Sequence, residues 1–218
     1  MARVNRAAAI KHGYTHGARK LAAQSITGLA RTRVTPNALT VSGVTLCVLG
    51  AVLVYFEYRS EILFFWLGAL LFVVGSILDI LDGALARAGG KATPFGSFLD
   101  STLDRAGEAA MLGAIALVFA RDGDTLALGF VFAAVAGSFL VSYTRAKAEI
   151  LGLRGDVGIG SRAERVVVIT AGLVFAPWGL LPWAIYLLTA TSWITVVQRV
   201  LHVRKQLLMG DTNGPDER

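Results

Sequence analysis

Four aspartates lie between residues 79 and 104, in a stretch flanked by two apolar runs of membrane length. Asp79 and Asp82 are three residues apart, and Asp100 and Asp104 are four apart. On a helix, each spacing places both carboxylates on one face. One aspartate at the centre of a membrane helix costs roughly 2.5–3.5 kcal/mol, so four together require a cationic partner. The pattern therefore predicts a cation site.

The ligand atoms indicate which cation is bound. All four candidate ligands offer oxygen, whereas His12, His16 and His202 lie in the terminal segments and the only cysteine, Cys47, lies in an apolar run. Oxygen ligands favour Mg²⁺ or Mn²⁺ over zinc or copper. Four carboxylates exceed what one Mg²⁺ usually takes from a protein. We therefore expect two ions sharing a bridging carboxylate, an arrangement that suits a phosphate ester.

Two helices joined by a short turn would bring the aspartate pairs together. Gly89, Gly90 and the Thr93-Pro94 step interrupt the helical pattern between the pairs. Thr93 is a suitable N-cap, and Pro94 is suited to the first position of a helix. The turn is therefore expected to end one helix and begin the next within a few residues.

Small residues accompany the carboxylates. Gly83 and Ala86 lie on the face of the first aspartate pair, and Gly96 lies one turn before Asp100. They leave space for a sizeable ligand, and Arg87 adds a positive charge suited to a phosphate.

The chain is identified as a member of the CDP-alcohol phosphotransferase family by eight positions at fixed spacing: Asp79, Asp82, Gly83, Ala86, Arg87, Gly96, Asp100 and Asp104. Members are integral membrane enzymes that transfer a phosphoryl-alcohol group from a CDP-alcohol to an acceptor hydroxyl and release CMP. The resemblance implies that all four aspartates ligate Mg²⁺ or Mn²⁺ and that Asp104 is the general base. It also implies CDP-lipid contacts from Asp79, Asp82, Gly83, Ala86, Arg87 and Gly96.

A second basic cluster follows the fourth apolar run. Arg145 and Lys147 lie within a helical pattern, Arg165 directly precedes an apolar run, and Arg199 lies inside the last one. Arginines at such depths require an anionic partner. We therefore predict an anion site formed by Arg145, Arg165 and Arg199, with Lys147 contributing. The alternative is that these charges only set the orientation of the chain in the membrane.

The segment 142–169 resembles the inositol-phosphate-using members of the family, the actinobacterial phosphatidylinositol-phosphate synthases and the archaeal archaetidylinositol-phosphate synthases. That resemblance implies an acceptor-phosphate site formed by Ser142, Arg145, Lys147, Arg165 and Arg199. There are two departures. Asn37 stands where the mycobacterial enzymes carry an aspartate, and the order of arginine and lysine at 145 and 147 is reversed.

The function implied is transfer of a phosphatidyl or archaetidyl group from CDP-diacylglycerol or CDP-archaeol to inositol 1-phosphate, with release of CMP. A synthase that uses glycerol 3-phosphate is an alternative, because that acceptor also carries a phosphate. A membrane transporter or a carboxylate ion relay is a third possibility, but it would not need the small residues or Arg87. Family members are homodimers, so a homodimer is expected.

Composition and patterning predict an all-α integral membrane protein. The chain has 218 residues, of which 55% are hydrophobic, and we expect a six-helix domain at 36–205. The predicted transmembrane helices cover 38–56, 62–87, 94–120, 125–150, 165–181 and 183–203. A basic amphipathic helix at 1–35 is expected to lie on the membrane surface, and a polar tail occupies 206–218.

The distribution of positive charge predicts the orientation. Of the 21 lysines and arginines, only Arg59 and Arg121 fall in the turns of one membrane face. By the positive-inside rule the other face is cytoplasmic, and it carries both termini and the carboxylates. The net charge of +6 is interpreted as membrane topology and attraction to anionic lipid rather than nucleic-acid binding.

Overall fold

The computed structural model describes residues 35–211, and their secondary structure is helical. The helices are α1 (Pro36–Tyr55), α2 (Glu61–Ala88), α3 (Pro94–Asp122), α4 (Thr125–Ile150), α5 (Arg162–Val174) and α6 (Leu181–Asp211). The all-α prediction is therefore confirmed. The amphipathic helix predicted at 1–35 lies outside the described residues except for position 35, as do residues 212–218 of the predicted tail.

Four of the described helices, α1, α2, α4 and α6, are long and apolar enough to cross a membrane. This supports the membrane assignment, whereas six spans remain a prediction. Helix α3 carries the second aspartate pair in its first turns. Helix α5 has only 13 residues, because the chain turns through Ala176–Trp178 and then Gly179, whose φ is +74°.

The described residues form two compact units, one containing 35–45 and 74–104, the other 46–73 and 105–211. In the first unit, α1 and α2 approach closely at Gly43, where an added Cβ would lie 2.8 Å from the carbonyl oxygen of Gly75. In the second unit, an added Cβ at Gly50 would lie 2.8 Å from the Gly68 carbonyl oxygen. Glycines thus let the two helix backbones touch, as in other membrane helix pairs.

The core of the second unit is apolar. Helix α4 packs along α6, and α5 packs against α6 as well. The Thr189 hydroxyl donates to the Phe130 carbonyl at 3.0 Å, and the Trp193 indole N–H donates to the Ala133 carbonyl at 3.0 Å. Side chains with almost no exposed surface fill the space between the helices: Met111, Leu112, Ile115, Val131, Ile169, Leu173, Ile185 and Leu188.

In the second unit, a charge pair between buried Glu57 and the more exposed Arg121 ties the α1–α2 turn to the end of α3. Arg121 Nη1 lies 2.5 Å from Glu57 Oε1, and Nη2 donates to the Tyr55 carbonyl at 2.9 Å. The guanidinium carbon also lies 5.0 Å from the Tyr55 ring centroid and 4.5 Å from that of Tyr58. Burial raises the pKa of Glu57 above its ordinary 4.5, and the Arg121 charge offsets part of that increase.

The sign of this shift predicts unequal effects for the two partners. Arg121→Ala should destabilise the protein by about 1–3 kcal/mol, because it leaves a buried carboxylate without its charge-assisted hydrogen bond. Glu57→Gln should be nearly neutral at pH 7, because the raised pKa means that ionised Glu57 is disfavoured in the fold. Protonated Glu57 contributes its full share of the unfolding free energy below the pKa that Glu57 has in the unfolded chain. That contribution is lost as the pH rises through the higher pKa of Glu57 in the folded protein.

Thermal unfolding in detergent checks this prediction. A loss of 1 kcal/mol corresponds to about 2–4 °C in Tm for a chain of this size. The Tm of Arg121→Ala should fall accordingly. Lowering the pH from 7 to 4 should stabilise the unmodified protein relative to Glu57→Gln. Equal losses in both variants at pH 7 would contradict the assigned sign.

Candidate metal centre and anion site

The turn between α2 and α3 is built as the sequence predicts. The N–H of Lys91 donates to the Ala86 carbonyl at 3.0 Å, and Gly90, with φ +60°, takes the left-handed conformation that closes such a turn. Pro94 begins α3, and the Thr93 hydroxyl accepts from the Gly96 N–H at 3.0 Å. The predicted N-cap is confirmed, and the two aspartate-bearing helix ends are joined by a short connection.

Three of the four predicted aspartates converge in the first unit. Asp79, Asp82 and Asp100 each offer a carboxylate oxygen, and these oxygens lie within 4.8 Å of one another. Opposite ligands of an octahedral Mg²⁺ are about 4.2 Å apart, given bond lengths near 2.1 Å. Small side-chain rotations would therefore close the cluster around one hard cation. Within the part of the chain that the structure describes, Asp104 is not a member of this cluster.

Thr40 contacts Asp82, a contact that the sequence analysis did not identify. Its hydroxyl donates to Asp82 Oδ2, and the two side chains are 4% and 2% exposed. The contact joins α1 to α2 within the first unit and fixes the orientation of a candidate metal ligand. Such outer hydrogen bonds orient the ligands of a metal and raise its affinity.

Removing the Thr40 hydroxyl should therefore weaken metal binding. Thr40→Val keeps the shape of the side chain, and we expect it to lower Mn²⁺ affinity roughly tenfold or more. Thr40→Ser keeps the hydroxyl and should bind Mn²⁺ nearly as well as the unmodified protein. Titration of Mn²⁺ by electron paramagnetic resonance measures both variants. Identical affinities for the valine and serine variants would show that the hydroxyl does not position Asp82.

A cavity of about 190 Å³ lies beside the carboxylates. The predicted residues in its wall are Asp82, Gly83, Ala86, Arg87, Gly96 and Asp100. Asn37, Thr40 and Lys91 also line it, and of these only Asn37 was noted in the sequence. The side chains around the cavity offer both signs of charge, as a ligand that combines phosphates with a bound cation requires.

Two glycines leave space at this wall, where a larger residue would crowd neighbouring side chains. A Cβ at position 83 would lie 3.3 Å from Arg87 Nη1, so the glycine leaves room for the guanidinium. A Cβ at position 96 would lie 3.0 Å from Thr93 Oγ1 and 3.3 Å from Asn37 Oδ1. The two glycines therefore keep the cavity open and preserve the cap of α3.

The second unit contains the predicted basic cluster. Arg165 is 3% exposed and forms a two-point ion pair with Glu108, with Nε to Oε1 at 2.7 Å and Nη2 to Oε2 at 2.8 Å. Its Nη1 donates to the Gly160 carbonyl at 2.9 Å. The sequence analysis predicted an anionic ligand as the partner of Arg165. In the structure, Glu108 of the same chain is an anionic partner of this arginine.

Arg199 has a different environment. It is 5% exposed, and its guanidinium donates to two backbone carbonyls: Nε donates to Val157 at 2.9 Å, and Nη1 donates to Val141. Arg145 and Arg165 lie near enough to repel its charge, whereas Asp156 and Glu149 attract it. Arg199 therefore combines burial, a positive charge and carbonyl contacts, which suits it to an anionic ligand.

The remaining predicted residues of this cluster are less buried. Arg145 is exposed, and its Nε lies 2.8 Å from Glu149 Oε1, one helical turn along α4. Lys147 is exposed, and Ser142 is half-buried. The structure thus buries Arg165 and Arg199 and leaves Arg145 and Lys147 accessible to water or to a soluble ligand.

Comparison with known proteins gives a consistent result. Residues 33–203 match the sequence model of the CDP-alcohol phosphatidyltransferase family. The archaetidylinositol phosphate synthase of Pyrococcus horikoshii is 38% identical over 183 residues, covering 84% of this chain and 90% of that protein. The phosphatidylinositol phosphate synthase of Mycolicibacterium smegmatis is 37% identical over 182 residues, covering 80% of this chain and 79% of that one.

Solved structures resemble the fold as well. The Mycobacterium tuberculosis phosphatidylinositol phosphate synthase with CDP-DAG bound superposes with a TM-score of 0.74 at 30% identity, covering 84% of this chain and 94% of that one. The same enzyme in complex with manganese and citrate gives a TM-score of 0.73 at 32% identity, covering 84% of this chain and 88% of the other.

Proposed function

Because the chain belongs to the CDP-alcohol phosphatidyltransferase family, we propose that it transfers a phosphatidyl or archaetidyl group from a CDP-lipid to inositol 1-phosphate and releases CMP. The observation that carries this proposal is the convergence of Asp79, Asp82 and Asp100 beside a cavity with Arg87 in its wall. The similar enzymes named above are inositol phosphate synthases, and one of them has been solved with CDP-DAG.

The carboxylate cluster fits a hard divalent ion, because its donors are all oxygen. We assign Asp79, Asp82 and Asp100 as the principal ligands of a Mg²⁺ or Mn²⁺ centre, with Asp104 a minor ligand beside its role as general base. A similar enzyme has been solved with manganese. Ions bound there would neutralise the pyrophosphate charge and make CMP a better leaving group.

The chain's own residues bind the donor and remove a proton. Arg87 contacts the phosphates, and Gly83, Ala86 and Gly96 let the CDP group approach the helix backbones. Asp104 takes the proton of the acceptor hydroxyl while the oxygen of that hydroxyl bonds to the phosphorus that carries the lipid. The bond from that phosphorus to the bridging oxygen breaks, and its electron pair leaves with CMP.

The acceptor phosphate is bound in the second unit. Arg199 and Arg165 are its principal contacts, and Ser142, Arg145 and Lys147 contribute. Both arginines are buried, where a charge-assisted hydrogen bond to a phosphate is strong. Glycerol 3-phosphate also carries a phosphate and is the alternative acceptor.

Arg199→Ala is expected to raise the KM for inositol 1-phosphate about ten- to a hundredfold, because a charge-assisted contact contributes roughly 1.5–3 kcal/mol. The KM for CDP-lipid should stay within about twofold of the unmodified value. Initial rates of CMP release at varied acceptor and varied CDP-lipid measure both constants. Arg204→Ala, a change of the same type at an exposed position five residues further along α6, is the control. Equal increases in both KM values would contradict the assignment of Arg199 to the acceptor.

We further propose that the six-helix domain at 36–205 spans the membrane six times as a homodimer, with both termini and the carboxylates on the cytoplasmic side. The distribution of lysine and arginine supports this orientation. A water-soluble acceptor would then enter from the cytosol while the lipid chains stay in the bilayer. The basic segment at 1–35 would lie on the anionic cytoplasmic leaflet.

The function is tested by incubating the detergent-purified protein with CDP-diacylglycerol, Mn²⁺ and inositol 1-phosphate. CMP should be released only when the acceptor is present, and the lipid product should carry two phosphates. No CMP with any phosphorylated acceptor, from either CDP-diacylglycerol or CDP-archaeol, would favour a transporter or an ion relay.

A further inference from the structure

The loop between α4 and α5, residues 151–161, is fastened to α6 along its length. The Gly160 N–H donates to Thr195 Oγ1 at 2.8 Å. Gln206 bonds both backbone groups of Arg154: its Oε1 accepts from the N–H at 3.0 Å, and its Nε2 donates to the carbonyl at 2.8 Å. A Cβ at Gly158 would overlap the Thr195 side chain. The loop is therefore a fixed part of the second unit.

Both buried arginines of the basic cluster are attached to this loop. Arg165 donates to the Gly160 carbonyl, and Arg199 donates to the Val157 carbonyl. The orientation of each guanidinium therefore depends on where the loop lies. In turn, the position of the loop depends on the side chains that fix the orientation of Arg165 and Arg199, because both arginines donate to loop carbonyls.

Glu108 fixes one end of this arrangement. It is 7% exposed on α3, and both of its carboxylate oxygens accept from Arg165. A buried ion pair of this kind is often no more stable than apolar residues of the same volume, because both charges lose their water. A two-point contact does fix the plane of the guanidinium. The geometry of the pair therefore suits positioning better than stabilisation.

Arg165 and Arg199 have more N–H donors than their hydrogen bonds within the protein use. A guanidinium has five N–H donors. Among the described residues, the hydrogen bonds to Glu108 and Gly160 use three donors of Arg165, and those to Val157 and Val141 use two of Arg199. Each arginine thus keeps donors for an anion, and their directions are set by Glu108 and the loop carbonyls.

We propose that Glu108 is a positioning residue of the acceptor site: it holds Arg165, and through Gly160 the loop, in the orientation that binds the acceptor phosphate. This inference rests on the proposed function in that the anion is taken to be the phosphate of the acceptor. Glu108 itself does not contact the substrate.

The test compares Glu108→Gln and Glu108→Asp with the unmodified protein. Glu108→Gln loses the two-point ion pair, and we expect the KM for inositol 1-phosphate to rise at least tenfold while the KM for CDP-lipid changes less than twofold. Glu108→Asp keeps a carboxylate and should recover part of the loss. In an Arg165→Lys background, Glu108→Gln should add little, because its effect acts through Arg165.

Two controls separate positioning from general damage. Glu57→Gln removes an equally buried carboxylate, 6% exposed, from another arginine pair, and should leave both KM values unchanged. Arg121→Ala destabilises the fold and should also leave them unchanged. Similar increases in both KM values, or a loss of stability with the acceptor KM unaltered, would overturn the proposal.

The outcome is distinguishable from failure of the proposed function. If the unmodified enzyme uses glycerol 3-phosphate rather than inositol 1-phosphate, the same variants are measured with that acceptor. A selective rise in its KM in Glu108→Gln supports the positioning role under a corrected acceptor. An unchanged KM for the phosphorylated acceptor that the enzyme does use overturns the role of Glu108.

Discussion

Replacing Asp82 with asparagine is expected to lower CMP release by about three orders of magnitude. Charge stabilisation by a bound metal contributes several kcal/mol to a transition state, and each 1.36 kcal/mol is a factor of ten in rate. Asp82 is 2% exposed and lies within the carboxylate cluster, so an amide there removes a charged ligand with little change in shape. Chelation of the metal should reduce the rate of the unmodified enzyme to a similar level.

Mn²⁺ binding and CMP release are measured on the same preparation. The matched control is Asp122→Asn, the same change at an exposed position at the end of α3, which should retain both. If the unmodified enzyme turns over at full rate in a chelator, or if Asp82→Asn retains normal Mn²⁺ affinity and rate, the metal centre is wrongly assigned.

Replacing Asp104 with asparagine is expected to lower the turnover number about 10²–10⁴-fold, the usual range for loss of a general base. Asp104 follows Asp100 by one turn on α3, yet the structure does not include it in the three-carboxylate cluster. Asp104→Asn should therefore keep most of its Mn²⁺ and CDP-lipid affinity.

Comparison with Asp100→Asn decides between the two roles of Asp104. Asp100 belongs to the cluster, so its variant should lose Mn²⁺ binding together with activity. If Asp104→Asn loses Mn²⁺ as completely as Asp100→Asn does, Asp104 acts chiefly as a metal ligand, and the proton must go elsewhere.

The features that sequence analysis predicted correctly are local ones. The spacing of Asp79 and Asp82, the cap at Thr93 and the break at Gly90 depend on neighbours a few residues away, and helix geometry converts such spacing directly into shared faces. For the same reason, the helix–turn–helix that carries the four aspartates follows from the sequence alone.

The contacts that sequence analysis missed are distant along the chain. Thr40 and Asp82 are 42 residues apart, and Glu108 and Arg165 are 57 apart. A single sequence contains no pattern that pairs them. Glu108 does leave a weaker signal, because a charged residue between apolar stretches of a helix requires a partner, but the partner is visible only in the fold.

The length of α5 shows a different limit. Apolar residues continue from Val166 to Leu181, so hydropathy predicts a span to 181, but the helix ends at Val174. Pro177 lies in the 3-10 turn, and Gly179 takes a left-handed conformation that ends it. Hydropathy measures composition, and it does not register a break in the backbone between equally apolar segments.

The central claim, phosphatidyl transfer to inositol phosphate, is tested most directly by acceptor competition. The purified enzyme is given radiolabelled CDP-diacylglycerol, Mn²⁺ and equal concentrations of inositol 1-phosphate and glycerol 3-phosphate, and the labelled lipids are separated. We predict that nearly all of the label enters phosphatidylinositol phosphate. Label predominantly in phosphatidylglycerophosphate would contradict the claim.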